Sequence, residues 1–300
     1  MPSMCSDLVK VDLNGPTMGT RWHVQFWTRP RETGPIRDAL QQAVDAVDAQ
    51  MSLWKPDSTL CRLNRAAPGV WVPLEPQIAE VLAASLDIAR ASGGAFEIAL
   101  GDVVKAWGFG PTAADPQAMA HLMQAEAPRA TEVLDLDGLR ARKRAPAHFD
   151  LNGIAKGYGV DQLVKAAQAQ GIHDLTAAID GDLRCVGTRP DGTLWPIAVE
   201  EPDHSRRAVH SLMEMTDTAI ATSGDYRHWV DLGGQRLSHT MHPLLRAPLQ
   251  SPPASVSVLA ADCMTADAWA TALMVLGREQ GTAIARAHGI QAMFLERQAA

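Results

Sequence analysis

Between residues 20 and 27 polar and apolar side chains alternate. Arg21, His23 and Gln25 fall on one side, and Trp22, Val24 and Phe26 on the other. A period of two predicts a half-buried β-strand. The period then changes: Ile36, Leu40, Val44, Val47 and Met51 recur at helical spacing. That predicts an amphipathic helix, ended by the run Trp54-Lys55-Pro56-Asp57-Ser58, because the residue before a proline is pushed out of helical conformation. A short strand is expected over 70–74. A second helix is expected over 76–92, stopped by Gly93 and Gly94, and a third over 115–125. Asp137 and Gly138 are a hairpin signal between 133–136 and a strand at Phe149. Residues 155–170 read as a helix with Val160, Leu163, Val164 and Ala167 on its apolar face. From 175 to 239 the pattern is mainly short strands, with turns at Asp191-Gly192 and Gly233-Gly234. A strand over 255–260, helices over 265–276 and 282–288, and a closing strand over 291–295 complete the chain. Strands cluster around helices without strict βαβ alternation, which predicts an α+β fold.

Composition narrows the class. Of 300 residues, 46% are hydrophobic and 20% charged, an ordinary globular mix, and the formal net charge is -7. No basic cluster points to nucleic acid, and no apolar run approaches a membrane span. The first residues, Met1-Pro2-Ser3-Met4-Cys5-Ser6-Asp7-Leu8, lack the apolar region of a signal peptide. Cys5, Cys61, Cys185 and Cys263 have no paired spacing, so neither a disulfide framework nor a zinc site is expected. The cytoplasm, a reducing compartment, is the expected location.

The most informative local feature is Asp267 and Thr271, four residues apart on an expected helix. Thr265 reads as the N-cap, and residues i and i+4 share a face. A carboxylate and a hydroxyl then project together near a helix start that favours anions. Mg²⁺ takes oxygen ligands and shares them with substrate phosphates, so the pair suits a metal held against a diphosphate. The pair by itself reads more readily as a helix-dipole complement beside a buried threonine.

The rest of the chain supplies context. In order come Met18-Gly19-Thr20, Met51-Ser52-Leu53-Trp54, Asp57-Ser58 and Asn64. Next are Gly94-Ala95-Phe96-Glu97, Trp107-Gly108-Phe109-Gly110 and the block Asp150-Leu151-Asn152-Gly153-Ile154-Ala155-Lys156-Gly157-Tyr158-Gly159-Val160-Asp161. Gly181-Asp182, Ser223-Gly224-Asp225-Tyr226, Ser238-His239 and the Asp267–Thr271 helix follow. This order resembles the ApbE family of FAD:protein FMN transferases, from about Met18 to the last strand. The resemblance implies an ApbE-like fold of mixed and antiparallel sheets flanked by helices, over 18–300, with 1–17 as an N-terminal extension. It also implies Mg²⁺-dependent transfer of FMN from FAD, the substrate, to a Ser or Thr hydroxyl of an acceptor flavoprotein, with release of AMP. An FAD pyrophosphatase using water as acceptor, and an FAD-binding protein without catalysis, are the alternatives.

Roles follow position by position. Gly153, Asp267 and Thr271 would hold Mg²⁺, with Gly153 contributing backbone. Met18, Trp54, Glu97, Asp150, Lys156 and His239 would line the flavin nucleotide, and His239 would act as general base. Read without the resemblance, Trp54 also fits a core position, Lys156 a solvated surface and His239 a hydrogen-bonded surface histidine. The chain departs from the family in two places. Where the family has a Thr two residues after the acidic position, Ala99 stands. After His239, the family's Asp-Pro and Thr-Gly read His242-Pro243 and Leu245-Arg246. Arg246 is expected to present a fixed positive charge to a phosphate or an acidic acceptor segment.

Overall fold

The computed structural model describes residues 7–202, 208–224, 229–232, 235–250 and 252–296. Asp225 and Tyr226 and the expected Gly233-Gly234 turn lie outside them. The first strands are β1 (Val9–Thr17) and β2 (Thr20–Thr28), followed by α1 (Gly34–Met51), α2 (Thr59–Arg65), β3 (Val72–Pro73), α3 (Pro76–Ala91), α4 (Gly101–Ala106), α5 (Pro116–Gln124) and α6 (Ala130–Val133). Then come β4 (Leu134–Leu136), β5 (Arg140–Lys143), α7 (Ala155–Ala169), β6 (Leu175–Ile179), β7 (Asp182–Val186), β8 (Trp195–Glu200), β9 (Val209–Met215) and β10 (Thr218–Gly224). The chain continues through β11 (Trp229–Leu232), β12 (Gln235–Ser238), β13 (Met241–His242), β14 (Ala247–Pro248), β15 (Ser255–Ala260), α8 (Cys263–Ala287) and β16 (Gln291–Leu295).

The main sheet runs β1-β2-β6-β7-β10-β15-β16, and each neighbouring pair is antiparallel. The residues set apart in the sequence as an extension contribute its edge: Val9 to Thr17 pair with β2 along the whole strand. The alternation in β2 sorts its side chains as expected. Trp22, Val24 and Phe26 are fully buried against Ile36, Leu40, Val44 and Val47 of α1. Fully burying an aliphatic side chain of this size contributes about 1.5–3 kcal/mol, so this seam is a large share of the fold's stability. α7 lies between α1 and α8 on the same face, with α7 over β6 and α8 over β10 and β15. The other face is covered by the β8–β9 hairpin, whose Trp195, Val199 and Met215 bury against Cys185 and Ile220.

Three local expectations change. The hairpin at Asp137 and Gly138 joins β4 to β5, and Phe149 is in no strand. The side-chain amide of Asn64 satisfies Phe149 in place of a neighbouring strand: Asn64 Nδ2 donates to the Phe149 carbonyl at 2.9 Å, and Phe149 N–H donates to Asn64 Oδ1 at 2.8 Å. Thr265 is not an N-cap. The helix starts at Cys263, and Asp262 caps it by accepting from Thr265 N–H at 2.8 Å. The two expected C-terminal helices meet at Gly277, whose φ of 69° interrupts one helical run. Only glycine adopts that conformation without cost.

α7 and α8 approach closely because the face of α7 is bare. A Cβ placed on Gly157 would lie 2.2 Å from the Cys263 carbonyl oxygen and 2.8 Å from Asp267 Cβ. The backbone at Cys263 cannot yield as a flexible side-chain tip would. Gly157→Ala is therefore expected to destabilise the protein by about 3 kcal/mol, read as a lower urea midpoint with unchanged slope.

Candidate functional site at the crossing of two helices

The turn that starts α7 is built by its own side chains. Asp150 is buried, and its carboxylate accepts from Asn152 N–H at 2.7 Å and Asn152 Nδ2 at 3.2 Å. Burial raises its pKa to about 6, with those two bonds opposing. Its own N–H donates to the Ile98 carbonyl at 2.8 Å, which ties the turn to the Gly94–Glu97 segment. The turn delivers Gly153 to Thr271: a Cβ at Gly153 would lie 3.0 Å from Thr271 Oγ1 and 3.4 Å from the Phe96 ring. One helical turn later, Gly157 N–H donates to Asp267 Oδ2 at 3.0 Å. So Asp267 and Thr271, on one face of α8, oppose Gly157 on α7 and Gly153 in the turn before it. Asp267 and Thr271 share one face of α8, as their spacing predicted, and the turn before α7 sets Gly153 against Thr271. Ser223 on β10 joins them, its Oγ 3.2 Å from Thr271 Oγ1.

The electrostatics are unusual for a protein interior. Lys156 Nζ lies 3.4 Å from Asp182 Oδ2 and 3.6 Å from Asp180 Oδ2. Asp182 stands at the start of β7, after the tight turn made by Asp180 and Gly181 at positive φ. It is buried, and its Oδ2 has an ion-pair neighbour in Lys156 but no hydrogen bond. The Lys156 ammonium is held charged, first by Asp182 and further by Asp267 and Asp180, against the opposing effect of burial. Asp267 is pushed up to about 8, first by burial and then by Asp182, with Lys156 opposing. Asp182 is itself raised by burial despite Lys156. Three carboxylates thus surround one ammonium. The excess negative charge, the unsatisfied Asp182 oxygen and the oxygen donors of Asp267 and Thr271 suit a hard divalent cation. No group of three His, Cys, Asp or Glu side chains among the described residues forms a metal-ligand set by itself, so a cation here needs the Thr271 hydroxyl and backbone oxygen as well.

The start of α8 corrects one expectation. Its free N–H groups are not left for a phosphate. Asp161 accepts from Cys263 N–H at 3.0 Å and Met264 N–H at 2.9 Å, while Asp262 takes Thr265 N–H. These carboxylates already answer the positive helix end. Lys156 likewise is ion-paired within the protein rather than solvated.

The remaining expected residues lie around this crossing. Met18 turns the β1–β2 hairpin with φ of 44°, and its terminal methyl lies 2.9 Å from where a Gly159 Cβ would sit on α7. Trp54 is 66% exposed in the loop after α1, which excludes the core position. The Glu97 carboxylate accepts from Ala99 N–H at 2.8 Å and Ala130 N–H at 3.0 Å, and burial raises its pKa. Glu97 lines a cleft of about 250 Å³ together with Gly94, Arg129, His242, Leu244 and Leu276. His239 is half-buried and directly follows the buried Ser238 at the end of β12.

The segment after His239 corrects a second expectation. Arg246 is buried, not presented: Nη1 donates to the Glu126 carbonyl at 3.2 Å, and Trp107 Nε1 donates to the Arg246 carbonyl at 3.1 Å. Its φ of 54° turns the chain so that the side chain packs inward. Gly157, Asp161, Asp182 and Ser223 had no role in the sequence reading. Gly153, Gly157 and Asp161 repeat every four residues, so helical spacing could have found the first two of the missed residues; only the fold brings in the other two.

Comparison with known proteins follows the same outline. The ApbE family profile matches residues 18–294. Over 292 residues the chain is 35% identical to the FAD:protein FMN transferase of Vibrio cholerae serotype O1, covering 95% of this chain and 87% of that protein. Among solved structures, the flavin transferase ApbE from Vibrio cholerae superposes with a TM-score of 0.86 at 32% identity, over 97% of this chain and 94% of that one. The apo flavinyl transferase ApbE of Pseudomonas stutzeri gives 0.85 at 30% identity, over 97% and 92%.

The raised Asp267 has a consequence for stability. In an unfolded chain an aspartate titrates near 3.9. Between about pH 4 and 8 the folded state therefore holds the extra proton, and this group's contribution to stability falls as pH rises. Asp267→Asn removes the ionisation while keeping an acceptor for Gly157. In metal-free buffer its stability advantage over the wild type is expected to grow by about 4 kcal/mol from pH 5 to pH 8, measured by urea melts at both.

Proposed function

The chain belongs to the ApbE family, and from that premise we propose that it is an FAD:protein FMN transferase that uses Mg²⁺. The acceptor hydroxyl, from a Ser or Thr of a target flavoprotein, attacks the FMN-side phosphorus of FAD. The bond between the two phosphates breaks, AMP leaves with the bridging oxygen, and FMN remains on the protein as a phosphodiester. His239 takes the hydroxyl proton as attack proceeds. The observation that carries this reading is the apposition of Gly153 with Thr271 and of Gly157 with Asp267 across the helix crossing. Asp267, Thr271 and the Gly153 backbone would hold Mg²⁺, which when bound supplies positive charge against the diphosphate. Lys156 positions the nucleotide beside Asp182, and Asp150 holds the turn that presents Gly153. Met18, Trp54 and Glu97 line the flavin nucleotide. Unpaired Cys61, Cys185 and Cys263 support a cytoplasmic setting. Among the described residues no helix is long and apolar enough to cross a membrane.

The deciding measurement is product identity. The protein is incubated with FAD, Mg²⁺ and a candidate acceptor, and products are separated and weighed. FMN on the acceptor with free AMP is expected. Free FMN with AMP would make water the acceptor, and intact bound FAD would make this a binding protein. Asp267→Ala is expected to abolish Mg²⁺-dependent cleavage. His239→Ala is expected to lower transfer by about 10²–10⁴ with FAD affinity unchanged, as loss of a general base requires. An equal loss of affinity would instead make His239 a ligand contact.

A second measurement concerns Trp54. An exposed indole on a loop is free to stack on a flavin face, a contact that adds about 1 kcal/mol beyond area burial. FAD is expected to quench tryptophan fluorescence, and Trp54→Ala to remove a clear part of that quenching. Unchanged quenching in the variant would take Trp54 out of the flavin site.

A further inference from the structure

The segment after His239 carries three departures from the family pattern, and the geometry separates them. At position 242 an imidazole replaces a carboxylate, yet His242 Nδ1 still accepts from Leu244 N–H at 3.2 Å and Leu245 N–H at 3.3 Å. A carboxylate oxygen would make the same turn-closing contacts. At position 246 arginine replaces glycine, and it is absorbed: it takes the positive φ, is 4% exposed, and bonds to Glu126 and Trp107. At position 245 leucine replaces threonine, and nothing absorbs it. Leu245 is 58% exposed, and its neighbour Leu244 is 64% exposed.

These two leucines sit on a turn that is held. Arg246 N–H donates to the His242 carbonyl at 2.8 Å. β13 and β14 pair on either side of the turn, at Met241 with Pro248 and at His242 with Ala247. Met241 is buried against Leu100 and Val103 of the α4 region. Apolar side chains displayed on a fixed turn have little conformational entropy left to lose on contact, and their desolvation favours association. The same turn continues the His239 segment, and Leu244 borders the cleft that Glu97 lines. The one arginine of the turn points inward, so the tip offers apolar surface and no charge.

We propose that Leu244 and Leu245 select the acceptor, by receiving apolar side chains that flank its hydroxyl-bearing residue. The inference rests on the transferase reading, and it names the acceptor chemistry this chain prefers: a polypeptide segment with aliphatic neighbours beside its Ser or Thr. Leu245 acts as a specificity determinant through substrate contact, and His242 and Arg246 act as positioning residues behind it.

The test uses two synthetic peptides of equal length, each with a single Thr, flanked in one by leucines and in the other by asparagines. KM and kcat for FMN transfer are measured with saturating FAD and Mg²⁺, and peptide binding to the FAD-loaded protein is followed by fluorescence anisotropy. The leucine peptide is expected to show a KM or Kd about tenfold lower, as burial of a few aliphatic groups implies. Leu245→Thr is expected to narrow that preference, and the double change Leu244→Asn with Leu245→Asn to remove it. Equal binding of the two peptides by the wild type, or a preference that survives the double change, overturns the proposal. If FAD is cleaved but neither peptide is labelled, the transferase reading fails. The anisotropy preference and its loss in the variant then still decide whether this turn is a polypeptide contact.

Discussion

Everything in the site depends on how closely α7 can lie against α8. Two glycines one helical turn apart leave no side chain between the helices, so a backbone N–H reaches Asp267 and the Gly153 turn meets Thr271. Any Cβ at Gly157 would meet backbone, so the distance between the helices is fixed by sterics rather than by attraction. The main sheet beneath supplies the second layer. Its β6–β7 turn places Asp182 and Asp180 against Lys156, and its β10 strand places Ser223 against Thr271. The site is therefore assembled from two helices and two strands, and each part contributes one or two polar atoms.

That assembly concentrates charge where solvent cannot dilute it. Asp182 and Asp267 are both buried, and one lysine does not neutralise them together with Asp180. In a low-dielectric interior, paired charges must be balanced or protonated. Asp267 takes the second course: burial and Asp182 push its carboxyl up to about 8. Asp161 shows a different arrangement. It is also buried, but two backbone N–H groups and Arg184 satisfy it, and its contribution is to anchor the start of α8.

The segment beyond His239 shows how a fold tolerates substitution. His242 supplies an acceptor where a carboxylate is expected, and Arg246 fills space beneath the hairpin. Neither change loosens the turn. What differs at the surface is apolar character at the tip, so the departure bears on what the enzyme meets outside rather than on how it is built.

The sequence by itself determined the α+β class, the long helices, the alternation of β2, and the pairing of Asp267 with Thr271 on one helix face. Each of these is written in a period of two or of three to four residues, and periodicity is a local property. It also carries the order of short motifs by which the family resemblance is legible. Other features were decided only by tertiary contact. Phe149 has the composition of a strand, but a single asparagine 85 residues away satisfies its backbone instead. Thr265 has the chemistry of a cap, yet Asp262 and Asp161 took that role because the sheet and α7 bring them there. The short helices α2 and α4 are too brief to show a period. Arg246 reads as a surface charge until its positive φ folds it inward, and Asp182 gains its meaning only when a hairpin and a helix set it beside Lys156 and Asp267. Long-range proximity fixes burial, burial fixes protonation, and neither is encoded in the spacing of neighbours along the chain.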